Sequence, residues 1–199
     1  MLFIGDSITE WGRFEDQENM GQNYVRMIRD HLAIQGLDIF PEIINRGIGG
    51  NRITDLVERW QEDVIDHDPD LVSISIGVND VWRQVDGSEI DQVLPDQYEE
   101  LYIALIERTQ AELDADIILM QPTIIEEEID SLGNQKLKVY VNVVNRLAKK
   151  YDLVVVPTHQ VFLDYINREG PLPLTIDGVH MTSTGNALMA KTWLETVLE

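Results

Sequence analysis

The chain has 199 residues, of which 44% are hydrophobic and 26% charged, which is typical of one soluble globular domain spanning residues 1–199. Its formal net charge of -21 argues against a broad surface for nucleic acid or for anionic lipid. That charge favours a neutral or cationic ligand, or serves solubility alone. The chain contains no cysteine, which excludes disulfides and thiolate metal sites.

No apolar run approaches the roughly 20 residues that a membrane-spanning helix needs. Met1 leads directly into a short apolar run, without the pattern of a signal peptide. We therefore expect a cytoplasmic protein with no membrane partner.

Short apolar runs alternate along the chain with segments of helical spacing, and five of these runs are predicted strands. They cover residues 2–4, 40–44 (with a start made ragged by Pro41), 71–76, 116–120 and 153–156. The run at 71–76 is apolar and rich in residues that favour strands.

Five helical faces lie among these strands. Their apolar positions are Val25, Ile28 and Leu32; Ile53, Leu56, Val57, Trp60 and Val64; Leu101, Leu105 and Ile106; Leu137, Val141, Val144 and Leu147; and Ala187, Leu188, Leu194 and Val197. We interpret these faces as core, with Thr182 or Ser183 capping the last helix. Strand–helix alternation predicts an α/β fold, a three-layer α/β/α sandwich with a five-stranded parallel, flavodoxin-like sheet. In such a sheet the ligand site lies at the carboxyl ends of the strands.

The first polar motif, Gly5-Asp6-Ser7-Ile8-Thr9, directly follows the first predicted strand. Gly5 allows a sharp exit from the sheet, and Ser7 then begins a helical turn whose N–H groups can face a developing oxyanion. Ser7 is a candidate nucleophile, although this motif by itself is equally consistent with Ser7 being a helix N-cap.

The candidate base lies near the other end of the chain, in Asp177-Gly178-Val179-His180. An aspartate three residues before a histidine can fix the imidazole tautomer and leave the other ring nitrogen to accept the serine proton. His159, which follows the fifth strand, is a rival base.

Two further motifs offer oxyanion donors at strand ends. Asn45-Arg46-Gly47-Ile48-Gly49-Gly50-Asn51 follows the second strand, and its glycines let a backbone amide approach a ligand. Its spacing does not match a phosphate-binding loop. Gly77-Val78-Asn79-Asp80 follows the third strand, where Asn79 can donate its side-chain amide, or simply form a turn.

These blocks together resemble the SGNH subgroup of the GDSL lipases and acylhydrolases, over residues 5 to about 190. The resemblance implies ester hydrolysis through an acyl-enzyme, without metal or cofactor. It implies that Ser7, Asp177 and His180 are catalytic, and that Ser7, Gly50 and Asn79 form the oxyanion hole. It further implies self-association as a homo-oligomer.

A finer resemblance to the bacterial acetylxylan esterases of this family rests on three segments, 45–47, 59–64 and 73–84. It implies a small-molecule or oligosaccharide ester as substrate, with acetyl esters of carbohydrate favoured. Trp82 and Trp11 are candidates to limit acyl length or to stack on a sugar, or they pack under a loop. The further substrate-binding candidates are Asp6, Asn51 and Arg83.

Two long loops, 83–97 and 122–135, are expected at the same edge of the sheet, where loops often bind ligands. The second contains Glu126-Glu127-Glu128 and Asp130, which we interpret as a solvated acidic loop rather than as a cation site.

The sequence is also compatible with other functions. The alternative enzymes are a broad-specificity short-chain lipase or acylhydrolase, a thioesterase, and a transferase that passes acetyl to a sugar. The alternatives that are not enzymes are an inactive carbohydrate-binding module and a flavodoxin-like signalling domain. The signalling alternative is weakened because Pro157-Thr158-His159, and no lysine, follows the fifth strand.

Overall fold

The computed structural model describes residues 1–36 and 38–198. The strands are β1 (Leu2–Gly5), β2 (Ile44–Gly47), β3 (Leu71–Ser75), β4 (Asp116–Met120) and β5 (Val154–Val156). These five parallel strands form one sheet in the order β2-β1-β3-β4-β5. This topology confirms the α/β fold class and the parallel, flavodoxin-like sheet predicted from the sequence.

The helices are α1 (Ser7–Glu10), α2 (Tyr24–Ile34), α3 (Ile53–Asp63), α4 (Val78–Trp82), α5 (Pro95–Glu112), α6 (Leu132–Tyr151), α7 (Thr158–Asn167) and α8 (Ser183–Leu198). One group consists of α2 and α8, which contact each other, and a second row is formed by α3, α5 and α6. Right-handed crossovers place these two groups on opposite faces of the sheet. No helix in the described part of the chain is both long and apolar enough to cross a membrane.

The face covered by α2 and α8 is built around buried aromatic side chains. Phe3 and Ser73 are paired in the β1–β3 register, so their side chains share a face of the sheet. The Phe3 ring contacts Tyr24 of α2 and Trp193 of α8, at centroid distances of 6.2 and 5.2 Å. Trp193 Nε1 donates to Ser73 Oγ over 3.0 Å, which satisfies two buried polar groups within an apolar layer.

The second strand differs from the sequence prediction of 40–44, because it begins at Ile44 and ends at Gly47. Pro41 has no backbone N–H to donate to a sheet, and Phe40 is exposed. The strand contains a buried polar residue, Asn45, because its side-chain amide donates a hydrogen bond to the Thr9 carbonyl over 2.7 Å. The strand predicted from apolar residues therefore begins too early in the chain.

The last helix, α8, buries a different face from the one predicted. Its buried apolar side chains are Met189, Ala190 and Trp193, whereas Ala187 is exposed and Leu188, Leu194 and Val197 are only partly buried. The predicted capping by Thr182 is present, since Thr182 Oγ1 accepts from the backbone N–H of Gly185 over 3.2 Å.

Candidate active site

Ser7 is the first residue of α1, immediately beyond the carboxyl end of β1. Asp6 caps this helix, with Oδ1 accepting from the backbone N–H of Ile8 over 2.9 Å. A side chain at position 5 would collide with the Ser75 carbonyl oxygen and the Thr9 hydroxyl, so only glycine permits this close turn. The turn presents the Ser7 hydroxyl at the edge of the sheet where parallel α/β folds bind ligands.

His180 and Asp177 lie on a narrow turn between α7 and α8. The turn is closed by an antiparallel bridge between Thr175 and Met181, and Ile176 N–H donates to the His180 carbonyl over 2.7 Å. Asp177 Oδ1 in turn accepts from the backbone N–H of His180 over 2.8 Å. The two candidate residues are thereby held together by main-chain bonds as well as through their side chains.

The structure brings Ser7, His180 and Asp177 into one hydrogen-bonded relay. Ser7 Oγ lies 2.9 Å from His180 Nε2, and His180 Nδ1 lies 2.7 Å from Asp177 Oδ2. This is the geometry that nucleophilic catalysis by serine requires, because one ring nitrogen faces the hydroxyl and the other faces a carboxylate.

The charge on Asp177 is stabilised in this arrangement. Partial burial opposes its ionisation, but hydrogen bonds from the His180 ring and from the backbone N–H groups of His180 and Val179 outweigh that effect and lower the Asp177 pKa. An ionised carboxylate in this position can balance the charge of an imidazolium that forms during a reaction.

The candidate oxyanion donors Gly50 and Asn79 follow two other strands, β2 and β3, at the same edge of the sheet. Gly50 adopts a φ of +80° in the loop between β2 and α3, a conformation that favours glycine. Asn79 is 2% exposed at the start of α4, and its Nδ2 donates to the Asn51 carbonyl over 3.0 Å. An amide nitrogen carries two hydrogens, so one N–H of Asn79 remains for a ligand.

Arg59, on α3, forms hydrogen bonds with residues at the ends of β1 and β2 and in the loop after β2. Its guanidinium donates to the Gly5 carbonyl over 3.0 Å, to the Arg46 carbonyl over 2.9 Å and to Asn51 Oδ1 over 2.7 Å. It also pairs with Asp63, which bonds Arg46 as well. Arg59 lies next to the apolar positions of α3, and no role for it is predicted from the sequence.

Two tryptophans flank the imidazole of His180. The ring centroid of Trp11 lies 4.8 Å from that of His180, with the planes tilted by 31°. Trp82 approaches edge-on, with centroids 6.0 Å apart and an interplanar angle of 72°. Trp82 also borders a cavity of about 230 Å³ that Asp177 helps to line. Both tryptophans predicted near the site are therefore next to the candidate base.

The remaining substrate-binding candidates are engaged with protein groups. Asp6 is 2% exposed, and burial raises its pKa to about 6 while it caps α1. The Asn51 side chain accepts from Arg59, and Arg83 pairs with Asp86 over 2.6 Å while its guanidinium lies over the Trp82 ring. These contacts favour supporting roles for Asp6 and Asn51.

His159, the rival base, is placed away from this relay. It is 4% exposed, and its Nδ1 lies 2.5 Å from the Thr123 carbonyl oxygen. Burial lowers its pKa, although the Thr123 carbonyl opposes that effect. His159 packs beneath the β4–α6 loop, so the Ser7 hydroxyl has His180 rather than His159 as its partner.

The acidic loop differs in one residue from the solvated loop predicted. Glu126, Glu128 and Asp130 are exposed as expected, but Glu127 is partly buried and accepts hydrogen bonds from Leu174 and Thr175. Across residues 1–36 and 38–198, no group of three or more histidine, aspartate or glutamate side chains is arranged to hold a metal ion.

The geometry of the Ser7–His180–Asp177 relay agrees with a match between this sequence and a known protein family. The model of the GDSL-like lipase/acylhydrolase family matches residues 3–188. The chain belongs to this family. Membership confirms the resemblance inferred from the four sequence motifs, and it makes the protein a carboxylic-ester hydrolase.

Similar proteins include an acetylxylan esterase of Geobacillus stearothermophilus, 34% identical over 99% of this chain and 93% of the relative. The crystal structure of that esterase superposes with a TM-score of 0.89, covering 98% of this chain and 92% of the other. An α/β hydrolase enzyme from the metagenome of Lake Arreo, Spain, is 30% identical, with a TM-score of 0.90 and coverage of 98% and 93%.

Proposed function

We propose that this protein hydrolyses short-chain esters, above all acetyl esters of carbohydrates, through an acyl-enzyme on Ser7. The observation that carries the proposal is the continuous relay from Ser7 Oγ through His180 to Asp177, with bonds of 2.9 and 2.7 Å. A serine hydroxyl is a weak nucleophile unless a base takes its proton, and this relay supplies one.

In the first step, His180 Nε2 takes the Ser7 proton as Ser7 Oγ attacks the ester carbonyl. Asp177 holds the proton on Nδ1, so that Nε2 is the basic nitrogen. The tetrahedral intermediate collapses when the imidazolium returns that proton to the departing alcohol, which leaves the acyl group on Ser7.

The negative oxygen of the intermediate is held by the backbone N–H groups of Ser7 and Gly50 and by Asn79 Nδ2. The first turn of α1 adds to this effect, because the leading N–H groups of a helix have no partners within it and carry partial positive charge. Donors fixed in advance stabilise the transition state without reorganisation, at roughly 3 kcal/mol for a single donor.

In the second step, water replaces the alcohol. His180 removes a proton from the water, the hydroxide attacks the acyl carbon, and Ser7 leaves with the proton returned by His180. Acid is released and the enzyme is restored.

The acetyl-carbohydrate substrate is supported by the Geobacillus relative, which is an acetylxylan esterase. Catalytic mutants of that esterase replace a serine, an aspartate and a histidine by alanine, the aspartate three positions before the histidine. The same spacing separates Asp177 from His180. Trp11 and Trp82 beside His180 suit a sugar ring, which stacks on aromatic faces, and neutral carbohydrate fits a net charge of -21.

The test is hydrolysis of p-nitrophenyl acetate, butyrate and octanoate, followed by acetate release from acetylated xylo-oligosaccharides. Wild type and Ser7→Ala are compared, with Ser183→Ala as a matched control on an exposed serine at the start of α8. We expect activity on the acetate ester and the sugar, its loss in Ser7→Ala and its retention in Ser183→Ala. Near-normal activity in Ser7→Ala would overturn the proposal for Ser7, and preference for octanoate would overturn the substrate.

Product analysis with added alcohols separates hydrolysis from transfer. Acetate as the dominant product supports the hydrolase, whereas acetylated alcohol in excess assigns the same Ser7 chemistry to a transferase. Self-association of the chain stays a prediction, to be checked by light scattering.

A further inference from the structure

The turn that carries Asp177 and His180 depends on a neighbouring loop for its position. Residues 174–182, at the end of the connection from α7 to α8, hold a single isolated bridge, Thr175 with Met181, rather than a regular helix or strand. The relay nevertheless needs the His180 ring placed to within a fraction of an ångström of Ser7. The contacts of this segment with the rest of the molecule therefore matter to catalysis.

Glu127, in the loop between β4 and α6, makes the main contact. A single carboxylate oxygen, Oε1, accepts from the backbone N–H of Leu174 over 2.9 Å, and from both the backbone N–H and the hydroxyl of Thr175 over 2.6 Å each. Three donors on one ionisable oxygen form a strong site, since hydrogen bonds to charged acceptors are shorter and stronger than neutral ones. Glu127 thus binds the beginning of the turn, at Leu174 and Thr175.

Glu126 adds a second attachment at Gly178, two residues before the base His180. Its backbone N–H donates to the Gly178 carbonyl over 2.7 Å, between Asp177 and Val179. Glu126 holds a φ of +68°, which is uncommon for a residue with a side chain, and Gly178 faces it with a φ of +93°. Glu126 therefore adopts a less favoured conformation where the loop and the turn meet, opposite a positive φ that glycine adopts readily.

The loop is itself fixed to the body of the protein. Asn134, fully buried at the start of α6, accepts from the Ile125 N–H over 2.9 Å and donates to the carbonyls of Glu126 over 3.1 Å and Glu128 over 2.7 Å. Ser131 Oγ donates to the Ile125 carbonyl over 2.7 Å. Glu127 is consequently presented from a rigid support.

We propose that Glu127 is a positioning residue for ester hydrolysis, which holds the Asp177–His180 turn in reach of Ser7. The assignment rests on the proposed function of Ser7, and it gives the central glutamate of the acidic loop a role beyond solvation. Glu127 acts through the turn and touches no substrate. Its loss should lower kcat far more than it changes KM.

The test compares four variants on p-nitrophenyl acetate. Glu127→Ala should lower kcat by roughly tenfold to a hundredfold, as small displacements of catalytic groups do. Glu127→Gln keeps an amide oxygen that can accept the same donors, so it should recover most of that loss. Thr175→Val removes only the hydroxyl donor and should cost a few-fold. Glu99→Ala is the matched control, since it removes the same charge and one ion pair, to Arg146, on α5.

A double-mutant comparison distinguishes positioning from general destabilisation. If Glu127 acts through the turn, Glu127→Ala should cost much less in an Asp177→Ala background than in wild type. An equal loss in both backgrounds, an unchanged kcat in Glu127→Ala, or no recovery in Glu127→Gln would each overturn the proposal. Its failure is distinct from failure of the proposed function, because the comparison is made within a wild type already shown to depend on Ser7.

Discussion

Arg59 Nε donates to Asn51 Oδ1 over 2.7 Å, while the backbone carbonyl of the same Asn51 accepts from Asn79 Nδ2 over 3.0 Å. The partly buried guanidinium on α3 is thereby connected through Asn51 to the Asn79 amide that is proposed to hold the oxyanion. Arg59 also bonds the Gly5 carbonyl, two residues before Ser7. Through Gly5 and Asn51, Arg59 therefore connects the segments that carry two proposed oxyanion donors, the Ser7 N–H and the Asn79 side-chain amide.

Arg59→Lys should therefore impair catalysis although the charge is kept. A single ammonium cannot reproduce the fixed fork that reaches Gly5, Arg46 and Asn51 together. We expect kcat on p-nitrophenyl acetate to fall roughly tenfold to a hundredfold with a small change in KM. Arg108→Lys, at an exposed pair with Glu112 on α5, is the control and should stay near wild type. An undiminished kcat in Arg59→Lys would contradict this role.

Asp177→Asn should leave Ser7 in place but disturb the base. An asparagine amide can donate to His180 Nδ1 and so stabilise the tautomer with its proton on the wrong nitrogen. We expect kcat to fall by at least about a hundredfold, yet to stay above that of Ser7→Ala. Asp114→Asn, an exposed aspartate before β4, is the matched control. Activity close to wild type in Asp177→Asn would show that His180 is oriented by another group.

Much of this site could be predicted from the sequence because its geometry follows from topology. Parallel strands bring their carboxyl ends to one edge, so the segments after β1, β2 and β3 had to meet there. The pairing of Asp177 with His180 is local, three residues apart on one turn, and so shows directly in the sequence. The relay in the structure joins these segments through Ser7 Oγ and His180 Nε2.

Glu127 and Arg59 could not be assigned in this way, for a physical reason. Glu127 accepts mainly from backbone N–H groups 47 and 48 residues away, and Arg59 donates to backbone carbonyls of Gly5 and Arg46. Every residue type except proline offers a backbone N–H, and every residue a carbonyl, so such partners leave no pattern in the sequence. The polar strand β2 was misplaced for a related reason, because Asn45 is buried by hydrogen bonds rather than by hydrophobicity.

Trp82 should restrict the acyl group that the site accepts. It borders a cavity of about 230 Å³ whose apolar lining includes Val85 and Leu132. Trp82→Ala should enlarge this space and raise the ratio of kcat/KM for butyrate to that for acetate by about fivefold or more, since each buried methylene contributes about 0.8 kcal/mol. Trp11→Ala is the comparison, because Trp11 does not line this cavity. An unchanged ratio in Trp82→Ala would mean that acyl length is limited elsewhere.

The last prediction concerns Asp80, which directly follows Asn79 in α4 and is 1% exposed. Its Oδ1 accepts from the Ile53 N–H over 3.1 Å, and Oδ2 has no hydrogen-bond partner within the described residues. Burial raises the Asp80 pKa to about 7, against 3.8 for an exposed aspartate, and the nearby Asp6 contributes in the same direction. At pH values between these two, the Asp80 carboxyl therefore keeps its proton in the folded state and has lost it in the unfolded chain.

Because the folded state holds the extra proton, raising the pH through this interval must weaken folding. We expect the free energy of unfolding of wild type to fall, relative to that of Asp80→Asn, by up to about 4 kcal/mol between about pH 4 and pH 7.5, since a tenfold change in acidity is worth about 1.4 kcal/mol. Urea unfolding at several pH values measures this difference, with Asp114→Asn as the control that should run parallel to wild type. Asparagine has no proton to lose, so parallel curves for wild type and Asp80→Asn would show that Asp80 is ionised in the folded protein throughout this range.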